Sequence, residues 1–297
     1  MLISMNEIII YAVLILFGLC IGSFAGASVW RLRARQLEQD KKDGELVDNV
    51  EYENLKKLTK KTLLTDRSRC LHCSYELKWY DLIPLFSWIF LKGKCRKCNK
   101  KIGYFEPLIE ISVALLFAAS YLLWPYTLDS PINVSMFILW LISGVGLTIL
   151  FAYDLKWLLL PDSISFSVMA IGLINAILVI INSTDKNGAI MSIVGAMAIL
   201  SGIYWLLYIT SKGKWIGFGD IKLGIGLALM LADWRLAFVA LFVANLIGCL
   251  MVIPGLVTGK LKRDSHIPFG PLLIIGFVIA KLFSASIITA FNMYLLY

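Results

Sequence analysis

Long apolar runs dominate this sequence. Several contain about 18 or more residues, enough to cross the ~30 Å hydrocarbon core of a bilayer. Hydrophobic residues make up 59% of the 297-residue chain and charged residues 16%, whereas about 25% of an average soluble domain is charged. The first run, 8–29, is longer than a signal-peptide core and is followed by arginines, which indicates a retained span. The chain is therefore predicted to be an all-α polytopic membrane protein.

We predict about eight transmembrane helices and one large loop. The predicted spans are 8–30, 108–124, 132–152, 164–181, 190–210, 221–232, 235–257 and 269–296. The sixth is short for a span. Three regions follow from this pattern: a first transmembrane helix at 1–32, a cytoplasmic loop at 33–106, and a C-terminal membrane domain at 107–297. Within the loop, residues 34–66 are highly charged, which favours a short amphipathic helix or a partly disordered surface segment.

The distribution of charge predicts the orientation of the spans. The net charge is +8, and residues 31–106 hold 18 of the 28 basic and 11 of the 20 acidic residues, a net charge of +7. With this loop inside, 25 basic residues fall on the cytoplasmic side, two outside and one within a span, as the positive-inside bias requires. Topology and contact with membrane lipids account for these charges, so no nucleic-acid partner is predicted.

Two aspartates are predicted to meet at the cytoplasmic membrane face. Asp154 ends the third predicted span and Asp220 begins the sixth, and the hairpin between them returns the chain to the same face. Two carboxylates in one low-dielectric site share a proton, so one can activate water while the other protonates a carbonyl oxygen. Gly217 and Gly219 leave room beside Asp220 for a substrate backbone. This arrangement favours an aspartyl peptidase.

Other classes of protein remain open at this point. A proton- or ion-coupled transporter would use Asp154 and Asp220 as a relay, but both carboxylates are predicted near one face and not along a path through the midplane. A membrane-anchored zinc-binding scaffold would give the aspartates no function. Proteolysis by the purified protein separates the first class from these two.

Four cysteines in the loop predict a metal site. Cys70, Cys73, Cys95 and Cys98 form two C-x-x-C pairs, and four thiolates at this spacing typically close a tetrahedral zinc site. Disulfides are disfavoured because the loop is predicted to face the reducing cytoplasm. The Zn²⁺ would be structural. It would stabilise the fold of a small module at 70–98 that has too few apolar residues to form a stable core of its own.

Three charged residues in or beside the predicted spans have structural interpretations. Asp162 follows a proline and is predicted to begin the fourth span. Lys222 is predicted to anchor its helix at the headgroups or to tune the aspartate pair. Lys281 interrupts the last span, so it is expected to face the bundle interior or to extend its ammonium group toward the interface.

Eight short segments occur in an order that is typical of one family. They are GSF at 22–24, WRL at 30–32, CLHC at 70–73, PLFSWIFLKGKCRKC at 84–98, YFEPLIE at 104–110, DLKWLLLPD at 154–162, GFGD at 217–220 and HIPFGP at 266–271. Together they resemble the bacterial type IV prepilin peptidases, whose G-x-G-D motif marks a group of intramembrane aspartyl proteases. The resemblance covers nearly the whole chain except about 34–66.

The resemblance implies a function and assigns roles to residues. It makes Asp154 and Asp220 the catalytic pair and implies cleavage of the basic leader from prepilin or pseudopilin substrates at the cytoplasmic face of the bacterial inner membrane. Many members of the family then methylate the new N-terminus with S-adenosylmethionine, and the resemblance assigns Gly93 and Gly22 to that step. The chain departs from the family at Ala25, Gly26 and Arg33, in the first span near the methyl-transfer determinants.

Overall fold

The protein is all-helical, as predicted from its apolar runs. The computed structural model describes residues 5–58, 67–259 and 267–295. Twelve α-helices are found in this part of the chain: α1 Met5–Lys42, α2 Asn49–Leu55, α3 Phe86–Phe90, α4 Phe105–Leu123, α5 Pro131–Trp157, α6 Asp162–Asn182, α7 Lys186–Met197, α8 Ile203–Ser211, α9 Phe218–Leu231, α10 Trp234–Val257, α11 Phe269–Leu282 and α12 Ser284–Leu295. A π-helical turn, Ala198–Gly202, joins α7 to α8.

The chain forms two compact units, residues 1–119 and 120–297. The predicted division at 32 and 106 followed the loop between two spans, and those boundaries stay a prediction. Parts of the predicted basic loops, at 59–66 and 260–266, lie outside the described residues.

Among the described residues, six helices are long and apolar enough to cross a membrane when α7, the π-helical turn and α8 are counted as one, or seven if α11 and α12 also form one span, bent by 76°. The difference from the predicted eight lies mainly at α9. This helix has 14 residues and is about 21 Å long, shorter than the ~30 Å hydrocarbon core. It is also largely buried, with Leu227 and Met230 fully enclosed, so protein and not lipid surrounds most of it.

In the N-terminal unit, α1 packs closely against α4 through glycines spaced four residues apart. A Cβ atom at Gly18 would lie 2.7 Å from the Cα of Ala114, and one at Gly22 would lie 2.6 Å from the Cα of Glu110. This small-xxx-small pattern lets two helix backbones approach.

Residues 34–58 of the charged segment are ordered and helical for the most part. The first helix continues past the membrane span to Lys42, and Ala34 and Leu37 on this extension pack against Leu55 and Leu58. Asp48 caps α2 by accepting the N–H groups of Val50 and Glu51. The amphipathic-helix interpretation is therefore correct for the described part of this segment.

In the C-terminal unit, two polar side chains hold the end of α9. The buried ammonium group of Lys281 donates to the carbonyl of Met230 at 3.2 Å, and the Asn175 amide donates to the carbonyls of Leu229 and Met230 at 3.1 Å each. The last carbonyls of a helix lack intrahelical partners, and a cation there also interacts favourably with the helix dipole. Lys281 thus faces the bundle interior and fixes the helix that carries Asp220.

Candidate active site and metal centre

Asp154 lies in the last turn of α5, where its side chain is buried. The helix ends at Leu158, which adopts the left-handed conformation and donates its N–H to the Asp154 carbonyl. The side-chain Oδ2 accepts a hydrogen bond of 3.1 Å from the backbone N–H of Gly270. Gly270 is the second residue of α11, so a helix N-terminus, which attracts anions, points at this carboxylate.

Glycine is required at position 270 by this contact. An added Cβ would lie 2.7 Å from the Oδ2 of Asp154 and 3.4 Å from the Leu160 side chain. The first distance is below any ordinary carbon–oxygen contact, so a larger residue would displace the carboxylate. In the sequence, the segment HIPFGP at 266–271 marks this position only as part of the family resemblance, which assigns no role to Gly270.

Asp220 lies in the first turn of α9 and is half-buried. Gly217 is the N-cap of this helix, and the Asp220 N–H donates to the Gly217 carbonyl at 3.2 Å. The Asp220 carboxylate lies near the backbone N–H of Gly217, in the position of the acidic residue of a capping box. The start of the helix therefore places this carboxylate beside free backbone donors.

The structure brings the two predicted carboxylates into one region. The carboxyl groups of Asp154 and Asp220 lie within electrostatic range of each other. The Leu160 side chain lies near both Gly219, which precedes Asp220, and Gly270, whose N–H binds Asp154. A Cβ atom at Gly219 would be 3.2 Å from Leu160, and one at Gly270 would be 3.4 Å from it. Gly219 is thus explained by close packing. Gly217 is exposed, and the room that both glycines were predicted to leave for a substrate backbone stays a prediction.

An ion pair beside Asp220 was not predicted. The ammonium group of Lys222 lies 2.5 Å from the Oδ1 of Asp162, the first residue of α6. It also lies 5.1 Å from the centre of the Phe218 ring. Asp162 does begin a helix, as expected, but it also ties α6 to the first turns of α9. Neither residue's spacing in the sequence signals this pairing, because they are 60 positions apart.

The four predicted metal ligands form one cluster. The sulfur atoms of Cys70, Cys73, Cys95 and Cys98 all lie within 4.8 Å of one another. The Sγ distances Cys70–Cys98 and Cys73–Cys95 are both 3.9 Å, close to the ~3.8 Å between sulfurs that follows from tetrahedral Zn–S bonds of about 2.3 Å. All four are free thiols and not disulfides. The geometry and the donor set therefore fit zinc.

The two C-x-x-C turns have matching backbone structures. In the first, the N–H of Ser74 donates to the Cys70 carbonyl at 2.9 Å, and in the second the N–H of Asn99 donates to the Cys95 carbonyl at 3.0 Å. Ser74 and Asn99 both have positive φ, 58° and 55°. Such paired turns direct two thiols each toward a common centre, as in zinc knuckles.

One thiol of the cluster is favoured as thiolate near neutral pH. Burial raises the pKa of the Cys95 thiol, but the N–H groups of Cys98 and Lys97 and the neighbouring thiols outweigh burial and lower this pKa to about 7. Burial raises the pKa of Cys70. Metal binding requires thiolates and releases the remaining protons.

The segment between the two turns is braced from both sides. The buried Asp81 carboxylate forms an ion pair with Arg96 of the second turn at 2.8 Å. The Leu85 N–H donates to the Glu110 carboxylate at 2.8 Å, and Glu110 lies in α4. The cysteine module is therefore attached to the first turns of a membrane helix by side-chain bonds as well as by the chain itself.

The two glycines that the resemblance linked to methyl transfer differ in their surroundings. Gly93 has a φ of +65°, and a Cβ there would lie 3.0 Å from the Trp88 ring. Gly22 is in contact with the backbone of Glu110, so helix packing alone accounts for its glycine. Their assignment to a cofactor stays a prediction.

These features define a class of protein: a multi-pass membrane protein with a four-cysteine cluster that could hold a metal ion, and with two neighbouring aspartates at helix ends. Two family models match it. Residues 16–124 match the bacterial peptidase A24 N-terminal domain, and residues 140–253 match the type IV leader peptidase family. The two matched regions cover the cysteine module and both aspartates.

Curated relatives agree with these models. The chain is 30% identical to a prepilin leader peptidase/N-methyltransferase of Aeromonas hydrophila, over 93% of this chain and 92% of the relative. It is 31% identical to a type 4 prepilin-like proteins leader peptide-processing enzyme of Escherichia coli and 32% identical to a prepilin leader peptidase/N-methyltransferase of Pectobacterium carotovorum, each over 87% of this chain and 88% of the relative. The chain belongs to the type IV prepilin leader peptidase family. No solved structure matches it.

Proposed function

We propose that this protein is a membrane aspartyl endopeptidase that removes the leader peptide of type IV prepilin-like precursors. The observation that carries the proposal is the meeting of Asp154 and Asp220, one held by the Gly270 amide and the other by the start of α9. Family membership supplies the substrate class. The charge distribution supports a bacterial cytoplasmic membrane location with the site at the cytoplasmic face.

The reaction needs the two carboxylates in different protonation states. One accepts a proton from water as the water oxygen attacks the scissile carbonyl carbon, and the other protonates the carbonyl oxygen. As the tetrahedral intermediate collapses and the C–N bond breaks, the departing nitrogen takes the proton that the first carboxylate accepted from water, and the second carboxylate takes back a proton from a hydroxyl group of the intermediate. The products are a leader with a new carboxyl group and a shortened protein with a free N-terminal amine. Cys70, Cys73, Cys95 and Cys98 would hold a structural Zn²⁺ that takes no part in these steps.

Methylation of the new N-terminus is the second half of the proposal. When bound, S-adenosylmethionine supplies the methyl group that the freed amine accepts. The names of the relatives support this activity. Incubating purified protein with a precursor, with and without S-adenosylmethionine, tests both halves by intact mass. Leader loss without any added methyl mass would leave a peptidase only.

Replacing Gly270 with alanine is expected to lower cleavage by about 10²-fold, the cost of a small misplacement in an active site. The Gly270 N–H is kept, but the new Cβ would meet the Asp154 carboxylate at 2.7 Å and displace it. Initial cleavage rates measure the effect. Gly248→Ala is the matched control, since its Cβ would meet only the flexible tip of Leu272 at 3.2 Å. Full activity of Gly270→Ala would show that the Gly270–Asp154 contact has no role in catalysis.

Gly93→Ser is expected to lower methylation more than cleavage, if the cysteine module positions the methyl donor and the freed amine. Gly44→Ser is a suitable control, because Gly44 also has a positive φ of 80° but has open space around it. Both variants therefore place a side chain on a residue with positive φ, which costs about 1–2 kcal/mol in each. The two product masses measure both steps in one sample. An equal fall of cleavage and methylation in Gly93→Ser would indicate that the module only guides the leader.

A further inference from the structure

The sequence does not mark Tyr204 as a functional residue, because it lies in an apolar span next to other aromatic residues. Its side chain is 4% exposed. Its hydroxyl has no hydrogen-bond partner among the residues that the structure describes. The side-chain amide of Asn245 is close by, where it can act only as a donor toward the tyrosine oxygen, and its Nδ2 also donates to the Leu241 carbonyl at 2.8 Å, so the O–H proton has no acceptor. A buried donor without an acceptor costs about 1–3 kcal/mol, so this hydroxyl calls for an explanation.

Contacts between α9 and the segment formed by α8 and the preceding π-helical turn show which residues of α9 lie level with Tyr204. The Ser201 hydroxyl donates to the Ile221 carbonyl at 3.1 Å, and the Tyr208 ring lies 5.7 Å from the Phe218 ring. The two helices are antiparallel, and Tyr204 lies between Ser201 and Tyr208 on the same face of its helix. Tyr204 is therefore level with the residues between Phe218 and Ile221, which include Asp220.

A third helix brings Tyr204 toward the other carboxylate. Its ring makes an edge contact with Phe269, with centroids 5.3 Å apart and planes at 73°. Phe269 directly precedes Gly270, whose N–H holds Asp154. The Tyr204 hydroxyl also lies within electrostatic range of Asp220. The side chain thus stands beside both halves of the proposed active site.

The backbone that carries Tyr204 is fixed against α9. The π-helical turn Ala198–Gly202 precedes α8, and such turns often occur at functional sites. Within it, the Leu200 carbonyl occupies the space where a Cβ of Gly224 would lie. The close contact and the Ser201 bond leave α8 little freedom to move along α9. The backbone that carries Tyr204 is consequently held at one height relative to Asp220.

We propose that Tyr204 is a further catalytic residue, whose hydroxyl donates a hydrogen bond to the carbonyl oxygen of the peptide bond being cut. The inference rests on the proposed function. The substrate provides the missing acceptor, and the bond strengthens as negative charge develops on that oxygen in the tetrahedral intermediate. The oxygen receives its proton from the aspartate pair, and the tyrosine keeps its own proton throughout.

The test compares Tyr204→Phe with the wild type and with Tyr208→Phe, which removes a hydroxyl one turn further along the same helix. We expect kcat of Tyr204→Phe to fall by about 10²–10³-fold, the usual effect of losing one such donor, with KM unchanged. Its melting temperature should be equal or higher, because an unpaired buried hydroxyl is lost. Tyr208→Phe should keep its kcat. A fall in melting temperature with unchanged kcat would mean that the hydroxyl has a structural role, and it would overturn the inference.

Inhibitor binding gives a second measurement that needs no turnover. A substrate peptide with a hydroxyl group in place of the scissile carbonyl should bind Tyr204→Phe at least tenfold more weakly than wild type, whereas a reduced-amide peptide, which lacks this oxygen, should bind both equally. Equal affinity of both peptides for the two proteins contradicts the inference. If the wild type cleaves and Tyr204→Phe matches it, the inference alone fails. If the wild type neither cleaves nor binds either peptide, the proposed function fails as well.

Discussion

Asp154→Asn and Asp220→Asn are each expected to lower leader cleavage by about 10²–10⁴-fold, the range for loss of a general acid or base. Asparagine has nearly the same shape, and at position 154 it keeps an oxygen that can accept the Gly270 N–H. It cannot accept or deliver the proton that the reaction transfers. The variants should therefore fold, retain metal and bind precursor, and the loss should appear in the single-turnover cleavage rate.

The control for these variants is Asp185→Asn. Asp185 is exposed and caps α7 by accepting the Gly188 N–H at 2.9 Å, and asparagine caps helices equally well. This variant should cleave at the wild-type rate. The double variant of Asp154 and Asp220 should be little worse than either single variant, because residues that act as one unit are not additive. Activity of either single variant within about tenfold of wild type would exclude the pair as the acid and base.

Cys95→Ser is expected to remove the metal from a protein that otherwise holds one zinc per chain. Structural zinc contributes about 10–16 kcal/mol in comparable small sites, and few apolar side chains of the module are buried beside Cys95. Loss of one ligand should therefore unfold the segment between the two cysteine pairs. Elemental analysis measures the zinc, and limited proteolysis between residues 67 and 104 measures the unfolding.

Cys20→Ser provides the matched control for this experiment. Cys20 lies in α1 of the same unit and outside the cluster, so its replacement should change neither zinc content nor protease resistance. A wild-type protein with well under one zinc per chain would contradict the metal assignment, as would a Cys95→Ser protein that keeps its full zinc content.

The features that the sequence predicts are those encoded locally or by the number of spans. The cysteine cluster follows from two short spacings, and the meeting of Asp154 and Asp220 follows from an even number of spans between them. The Gly270 amide that holds Asp154 is 116 positions away in the sequence, and a backbone N–H carries no signal in a side-chain pattern. Such a contact appears only when helices are packed together.

Packing also explains why the number of spans differed. An apolar run indicates burial but does not distinguish lipid from protein as the surrounding medium. The short helix α9 is enclosed by other helices, and its C-terminal end is held by Lys281 and Asn175. It therefore does not have to be long enough to cross the whole hydrocarbon core of the membrane. Lys281 interrupts an apolar run for the same reason. Its partner is the Met230 carbonyl, a backbone group that no motif marks.

The most direct test of the proposed function is the mass balance of one precursor incubated with the purified, zinc-loaded wild-type protein. We expect two products, a leader with a free carboxyl group and a shortened protein with a free amine, whose masses together equal the precursor plus one water. We expect no covalent adduct on the protein, because water and not a side chain attacks the carbonyl. An intact precursor would contradict the proposed function, and a leader covalently attached to the protein would contradict the role of Asp154 and Asp220.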